Sequence, residues 1–170
     1  VPNSEIRFTE YNSPWPNNDG IICLNINVLV EASPALSDWT YQWNNTLGTN
    51  SNVVVSPTQT TIYFLTTTSG AGCSRVSTGT INVIPLPDAT FTHAIDNCGR
   101  FVFMSNQNLP NSMHLWDFGD NTSGTDVNPV HTYTSAGTYQ VQHTVSAICG
   151  VATITENILV SIGLPSADFT

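Results

Sequence analysis

The chain has 170 residues, with three Lys or Arg residues against twelve Asp or Glu residues and a formal net charge of -9. Lysine is absent and the three arginines are scattered, so the basic cluster that binds polyanions is missing, which excludes nucleic acid as a partner. No apolar run is long enough to cross a bilayer, which excludes direct membrane insertion, and no signal segment is evident. We therefore expect a mature or excised piece of a longer chain.

The composition favours strands over helices. Hydrophobic residues make up 40% of the chain, and the bias toward Thr, Val, Asn, Ser, Gly and Pro is typical of strands joined by turns. In the first predicted unit, residues 1–85, the segment 21–31 is a mostly apolar run. Trp39, Tyr41 and Trp43 then alternate with polar residues, as in a strand with one buried face. Further strands are predicted at 53–55, 60–67 and 73–84.

The second predicted unit covers residues 86–163. Its strands are predicted at 89–95, 100–105, 113–118, 130–134, 138–148 and 151–162. Short strands separated by turn residues predict an all-β fold of two tandem β-sandwiches. The segment Leu86–Thr92 recurs as Leu164–Thr170, 78 residues later, so residues 164–170 are predicted to begin a following repeat. Neighbouring repeats of the same chain are thus the first expected partners.

Four cysteines are widely spaced, unlike the close pairs of zinc or redox sites. Cys23 and Cys73 lie 50 residues apart, and Cys98 and Cys149 lie 51 apart. The similar spacing predicts two disulfides, one in each unit, and pairing across the units is an open alternative. Disulfides indicate an oxidising extracellular compartment, at the cell surface or after secretion.

Three motifs in the second unit closely resemble, in sequence and order, the signature of the polycystic kidney disease (PKD) domain. They are Trp116–Asp120, Asn128–Tyr133 and Gly137–Val141. The resemblance covers about residues 87–163 and implies an immunoglobulin-like β-sandwich with Trp116 in its core. It implies structural roles for the other motif residues, which are Asp117, Phe118, Gly119, Asp120, His131, Tyr133 and Tyr139.

The first unit resembles the immunoglobulin-like repeats of large surface proteins of Bacteroidetes. The matching segments are Ile22–Cys23, Tyr41–Trp43, Val55–Thr58, Thr61–Tyr63 and Gly72–Cys73. Those proteins include gliding-motility adhesins and secreted hydrolases. By its place in its strand, Trp43 is predicted to lie in the core of the first unit. The places of the cysteines relative to the strands support pairing Cys23 with Cys73 and Cys98 with Cys149, one immunoglobulin-like sandwich to each disulfide.

Calcium is the first candidate ligand. Asp117, Asp120, Asn121 and Asp126 are hard oxygen donors close in sequence, but their spacing does not match an EF-hand loop. Calcium-binding PKD domains carry an acidic loop before the Trp strand, where this chain has Ser105–Asn111. We therefore predict no metal and no cofactor, with calcium at Asp117, Asp120 and Asp126 as the weaker alternative.

Three histidines of the second unit are candidate transition-metal ligands. His131 occupies the structural histidine position of the PKD motif, and His114 shares the parity of Trp116 along its strand. His143 stands where the family usually has an aliphatic residue. Core or rim histidines, each satisfied by a hydrogen bond, are the favoured interpretation.

Trp15 lies in a stretch rich in Pro and Asn and is the best candidate to contact a glycan or protein. Packing over the end of a sandwich is nevertheless the favoured role of its ring. The chain has no GxSxG elbow, HExxH motif or phosphate loop, so we predict no catalytic residues and a protein that is not an enzyme.

These features predict a structural or adhesive repeat segment of a large secreted or cell-surface protein, a stalk or filament spacer. The ligand of such a segment, an unknown surface glycan or protein, is not encoded in any motif. The alternative is an accessory carbohydrate- or protein-binding module of a secreted hydrolase. A catalytic domain beside these residues in the parent chain would favour that alternative, and many further repeats would favour the stalk.

Overall fold

A computed structural model describes residues 4–10, 20–44, 46–96, 99–107 and 109–161. The chain divides into two compact units, Val1–Pro85 and Leu86–Thr170. The regular secondary structure of the described residues consists of β-strands, which confirms the predicted all-β class. Within these residues, no helix is long and apolar enough to span a membrane.

The first unit is built from two sheets. Its strands in the described residues are β1 Glu5–Glu10, β2 Ile21–Cys23, β3 Val28–Ser33, β4 Thr40–Trp43, β5 Asn52–Val55, β6 Thr61–Thr68 and β7 Ser74–Ile84. One sheet has the order β1-β3-β5 and the other the order β2-β7-β6-β4. Every pairing is antiparallel except that of β2 with β7, which is parallel.

The core of the first unit is mainly aliphatic. Alternate residues of β3 and β6 point inward, as the period of two in a strand dictates. The ring of Trp43 closes this core from β4, with its Nε1 donating to the carbonyl of Asn50 at 2.8 Å. The buried hydrophobic side chains are Ile22, Val28, Val30, Ala32, Tyr41, Trp43, Val55, Tyr63, Leu65 and Ile81. They come from both sheets, so the unit is a sandwich.

The predicted strand at 21–31 is in fact two strands. The chain turns between β2 and β3, where Asn25 has a φ of 71° and the amide of Ile26 donates to the carbonyl of Cys23. Asn tolerates this left-handed conformation better than most residues do. The turn sends β2 to one sheet and β3 to the other, a change that an unbroken apolar run did not reveal. Strand β1 was not predicted.

The second unit repeats the arrangement of one three-stranded and one four-stranded sheet. Its strands in the described residues are β8 Phe91–Ile95, β9 Phe101–Ser105, β10 Met113–Asp117, β11 Ser123–Gly124, β12 Val130–His131, β13 Gly137–Ala147 and β14 Gly150–Val160. The sheets have the orders β12-β9-β8 and β11-β10-β13-β14, and their pairings are antiparallel.

The core of the second unit is mainly aromatic. Trp116 is fully buried and makes an edge contact with Phe91, with ring centroids 5.1 Å apart. The buried hydrophobic residues of this core are Phe91, Phe101, Phe103, Trp116, Phe118, Tyr133, Val141, Ile158 and Val160. Both sheets contribute to it, so this unit is also a sandwich, of the immunoglobulin-like class.

The predicted disulfide pattern is wrong. Cys23 and Cys149 are each disulfide-bonded, but Cys73 carries a free, exposed thiol. The physical reason is the parallel pairing that sets Cys23 opposite Ile84, at the far end of β7 from Cys73. At about 3.3 Å per residue the two cysteines lie roughly 35 Å apart along the strand, whereas a disulfide joins Cα atoms about 6 Å apart.

The other predicted disulfide joins Cys98 and Cys149. Cys98 lies outside the described residues. Once Cys73 is set aside three cysteines remain, and a disulfide uses two of them, so one disulfide inside each unit is not the pattern of this chain.

Candidate functional site

The motif residues of the second unit meet where β10 ends and the chain turns toward β11. Trp116 donates from its Nε1 to the carbonyl of Asp126 at 2.9 Å. Asp117 accepts the amide of Gly119 at 2.9 Å on its Oδ1, so it closes a turn of the type that short acidic side chains favour. The Trp–Asp–Phe–Gly–Asp sequence therefore couples a core ring to a tight turn.

Gly119 is required by this turn. Its φ is +77°, and a Cβ added there would lie 2.6 Å from the carbonyl oxygen of Gln140 on β13. An L side chain is strained in that backbone conformation even without the clash.

Asp120 is the centre of the polar contacts in this region. One carboxylate oxygen accepts the Thr122 amide at 3.1 Å and the Thr122 hydroxyl at 2.5 Å. The other lies 2.7 Å from Nε2 of His131. Burial by itself would raise the pKa of Asp120, but the hydrogen bonds from Thr122 and His131 and the charge of His131 outweigh it and lower the pKa.

His131 is held by rings as well as by Asp120. It stacks on Phe118 with ring centroids 4.1 Å apart and planes 2° apart, and Tyr133 meets it edge-on at 4.6 Å. The Tyr133 hydroxyl donates to the carbonyl of Phe118 at 3.0 Å, and burial raises the pKa of that hydroxyl. Tyr139 stacks on Tyr133 at 4.2 Å. These side chains form a closed set of internal contacts, which we call the signature cluster: Phe118, Asp120, Thr122, His131, Tyr133 and Tyr139.

The calcium alternative is not supported by this geometry. Within the described residues, which include Asp117, Asp120 and Asp126, no three His, Cys, Asp or Glu side chains form a group that could hold a metal ion. Asp117 and Asp120 accept hydrogen bonds from Gly119 and Thr122 in their own turn, and Asp120 also contacts His131 on β12. The acidic residues near β10 thus shape a turn and do not converge on a common centre.

Two of the three candidate histidines do meet, although not as metal ligands. Trp116 lies opposite His143 in the β10–β13 register, and their rings stack with centroids 3.7 Å apart. His114, two residues before Trp116 and thus diagonal to His143, places its Nδ1 3.0 Å from Nε2 of His143. Both imidazoles are buried, whereas His131 is engaged with Asp120.

Sequence reasoning missed two partners in these contacts. Thr122 follows Asp120 by two residues, a spacing at which Asp commonly bonds its own turn, and this signal was available. Ser112 lies 3.1 Å from Nε2 of His114, and its position two residues before His114 carried no comparable signal.

The tryptophans of the first unit fall into different places. Trp43 is buried, and Trp39 packs partly buried against the same core. Trp15, the predicted contact residue, lies outside the described residues.

Comparison with known families adds a match to this geometry. Residues 82–162 match the profile of the family described as "PKD domain". The match includes the whole of the signature cluster and Trp116, so this part of the chain is similar to a PKD domain. No curated protein matches the chain.

The chain also matches solved structures. One of them is the human desmocollin-1 ectodomain, 13% identical, with a TM-score of 0.38. The similarity covers 86% of this chain and 36% of that one, so this chain spans about a third of its length.

Proposed function

We propose that the chain is a non-catalytic structural or adhesive segment of a large extracellular protein, in which sandwich units act as spacers. The observation that supports this most is the use of the PKD signature residues. Asp120, His131 and Tyr133 have their polar groups bonded inside the second unit, where they stabilise the fold. In the described part of the chain, no three His, Cys, Asp or Glu side chains form a group that could hold a metal ion.

The segment between the units fits a spacer. Strand β7 ends at Ile84 and β8 begins at Phe91, so six residues connect them, including Pro85 and Pro87. Proline fixes φ and restricts the residue before it, which lowers the conformational freedom of the connection. A spacer benefits from such a connection because its length then varies little.

An extracellular location supports the same role. Bonded cysteines at Cys23 and Cys149 are typical of oxidising compartments. PKD-like domains, such as residues 82–162, are typical of extracellular proteins. The acidic surface expected from a net charge of -9 keeps neighbouring chains apart.

Replacement of the segment in its parent protein tests the proposal. We expect that an unrelated pair of β-sandwiches of equal length restores surface display and attachment of the parent. A matched control with a single sandwich should shorten the protein and lower its reach. Loss of attachment with the equal-length replacement would contradict the spacer role, because it would show that residues of this segment bind a partner.

A glycan array with the full chain distinguishes the spacer role from the accessory-module alternative. The spacer role predicts no specific glycan binding by the wild-type chain. Glycan binding that is abolished by Trp15→Ala but kept in Trp39→Phe would favour the accessory module.

A further inference from the structure

The buried histidines of the second unit belong to a continuous line of hydrogen bonds. The carbonyl of Ala89, just before β8, lies 2.8 Å from Nδ1 of His143. Nε2 of His143 lies 3.0 Å from Nδ1 of His114, and Nε2 of His114 lies 3.1 Å from the Ser112 hydroxyl. That hydroxyl lies 3.0 Å from the carbonyl of Leu109. We call these five groups the histidine line.

The ends of the histidine line fix the direction of its hydrogens. A carbonyl oxygen only accepts, so His143 must carry its hydrogen on Nδ1 to bond Ala89, and Ser112 must donate outward to bond Leu109. The line has four contacts, and each needs one hydrogen. Two neutral imidazoles and one hydroxyl supply three. With both histidines neutral, one contact is therefore left with two lone pairs facing each other.

One added proton completes the line, and a second proton cannot be placed in it. With one imidazolium, all four contacts have a hydrogen. With two, N–H groups would face each other across the 3.0 Å between His114 and His143. We propose that His114 and His143 form a single-proton site, an acid-sensing device that takes up one proton shared across their hydrogen bond. It links pH to the packing of β10 and β13 and to the segment that enters β8.

The surroundings of His114 and His143 make the pair take up its proton only on acidification. Burial lowers the pKa of His114. Burial also lowers the pKa of His143, as does His114, while the Ala89 carbonyl and the charge of Asp88 act in the opposite direction. The neighbouring strands carry two further titratable residues, His93 exposed on β8 and Glu156 on β14, which lies opposite Val141 in the β13–β14 register. Asp88 is the acidic residue whose charge favours the added proton on His143.

Linkage sets the sign and size of the effect. The unfolded chain protonates both histidines near pH 6.5, whereas the folded unit first holds none and then one. Stability of the second unit therefore falls as pH falls below about 6.5. The unfolding constant should rise about 100-fold per pH unit while the proton difference is two, and about tenfold per unit once the site is filled.

Nitrogen-detected NMR of the histidine rings in the full chain tests the proposal directly. We expect His143 to carry its hydrogen on Nδ1 at neutral pH, and the rings of His114 and His143 to titrate with one common midpoint. That midpoint should lie below the ordinary histidine pKa of about 6.5. A hydrogen on Nε2 of His143 at neutral pH, two separate midpoints, or a common midpoint at or above that ordinary value would overturn it.

Variants give an independent readout. In His114→Phe one titrating group is removed. On acidification from pH 6.5 to the folded midpoint, the unfolding constant of the second unit should therefore rise about tenfold per pH unit, instead of about 100-fold as in the wild type. The control Leu115→Ala, which removes an exposed, non-titrating side chain next to His114 on β10, should leave that dependence as in the wild type. An unchanged dependence in His114→Phe would contradict the proposal, and if this variant does not fold, the wild-type NMR titration decides.

Discussion

The two sandwiches reach the same architecture with different cores. The first packs aliphatic side chains such as Val28, Val30 and Leu65 around one tryptophan, with few buried polar groups. The second packs aromatic rings around Trp116 and includes the buried imidazoles of His114 and His143. Apolar burial depends weakly on pH, whereas buried titratable groups depend on it strongly. The comparison teaches that only the second unit should be acid-sensitive through its core.

Truncation of each core tryptophan should have the largest effect. Trp116→Ala removes a fully buried ring that stacks on His143 and donates to Asp126, and we expect it to cost about 3–5 kcal/mol of unfolding free energy in the second unit. Trp43→Ala should act in the same way on the first unit. Denaturant unfolding followed by NMR signals of each unit checks both. If either variant unfolds both units together, the comparison of two separate cores fails.

Gly119→Ala should cause the second-largest loss of unfolding free energy. Both its positive φ and the close carbonyl of Gln140 oppose a Cβ, and we expect a cost of about 2–4 kcal/mol. Gly99→Ala is the matched control, because Gly99 has a φ of +76° but nothing within 4 Å of its added Cβ. Urea midpoints of the two variants measure the difference. Equal losses would show that the contact with Gln140 adds nothing to the backbone strain.

Asp120→Asn should cost about 1–3 kcal/mol at pH 7, because a carboxylate that accepts three hydrogen bonds becomes an amide. The pKa of Asp120 is lowered in the fold, so its contribution is present above the unfolded value near 4 and is lost as pH falls through the folded value. Urea titrations at pH 7 and pH 3 should thus show a smaller acid loss in the variant. The control is Asp126→Asn, because Asp126 accepts the Trp116 hydrogen bond on its backbone carbonyl, which the substitution retains.

Cys73→Ser should have the smallest effect, within about 0.5 kcal/mol, because the exposed thiol is in no disulfide. A maleimide reagent should label Cys73 in the folded, unreduced chain, and peptide mapping of the variant should find no label at position 73. Absence of label on the wild-type Cys73 would contradict the free thiol and reopen its predicted pairing with Cys23.

Much of the fold could be predicted from strand periodicity and turn residues. Alternation around Tyr41 and Trp43 placed β4, and the turn signals of the second unit placed β8 to β10 within two residues. The parallel pairing of β2 with β7 was not predictable, because it depends on a turn at Asn25 inside an apolar run. That missed crossover is also why cysteine spacing gave the wrong disulfide.

The candidate site also has a part that the sequence could predict and a part that it could not. Asp120 and Thr122 are neighbours in sequence, so their turn was within reach of local reasoning. The contact between His114 and His143 depends on the register of β10 against β13, which links residues 29 apart. Local patterns do not specify such a register, and the pair was therefore expected only as separate buried histidines.

The central claim is that the PKD signature residues stabilise the fold of the second unit and form no ligand site. Amide hydrogen exchange of the full chain, with and without calcium, for the wild type and Asp120→Asn, tests it most directly. We predict faster exchange throughout β10, β13 and β14 in the variant and no slowing by calcium in either protein. Unchanged exchange in Asp120→Asn, or calcium-dependent protection around Asp117, Asp120 and Asp126 in the wild type, would contradict the claim.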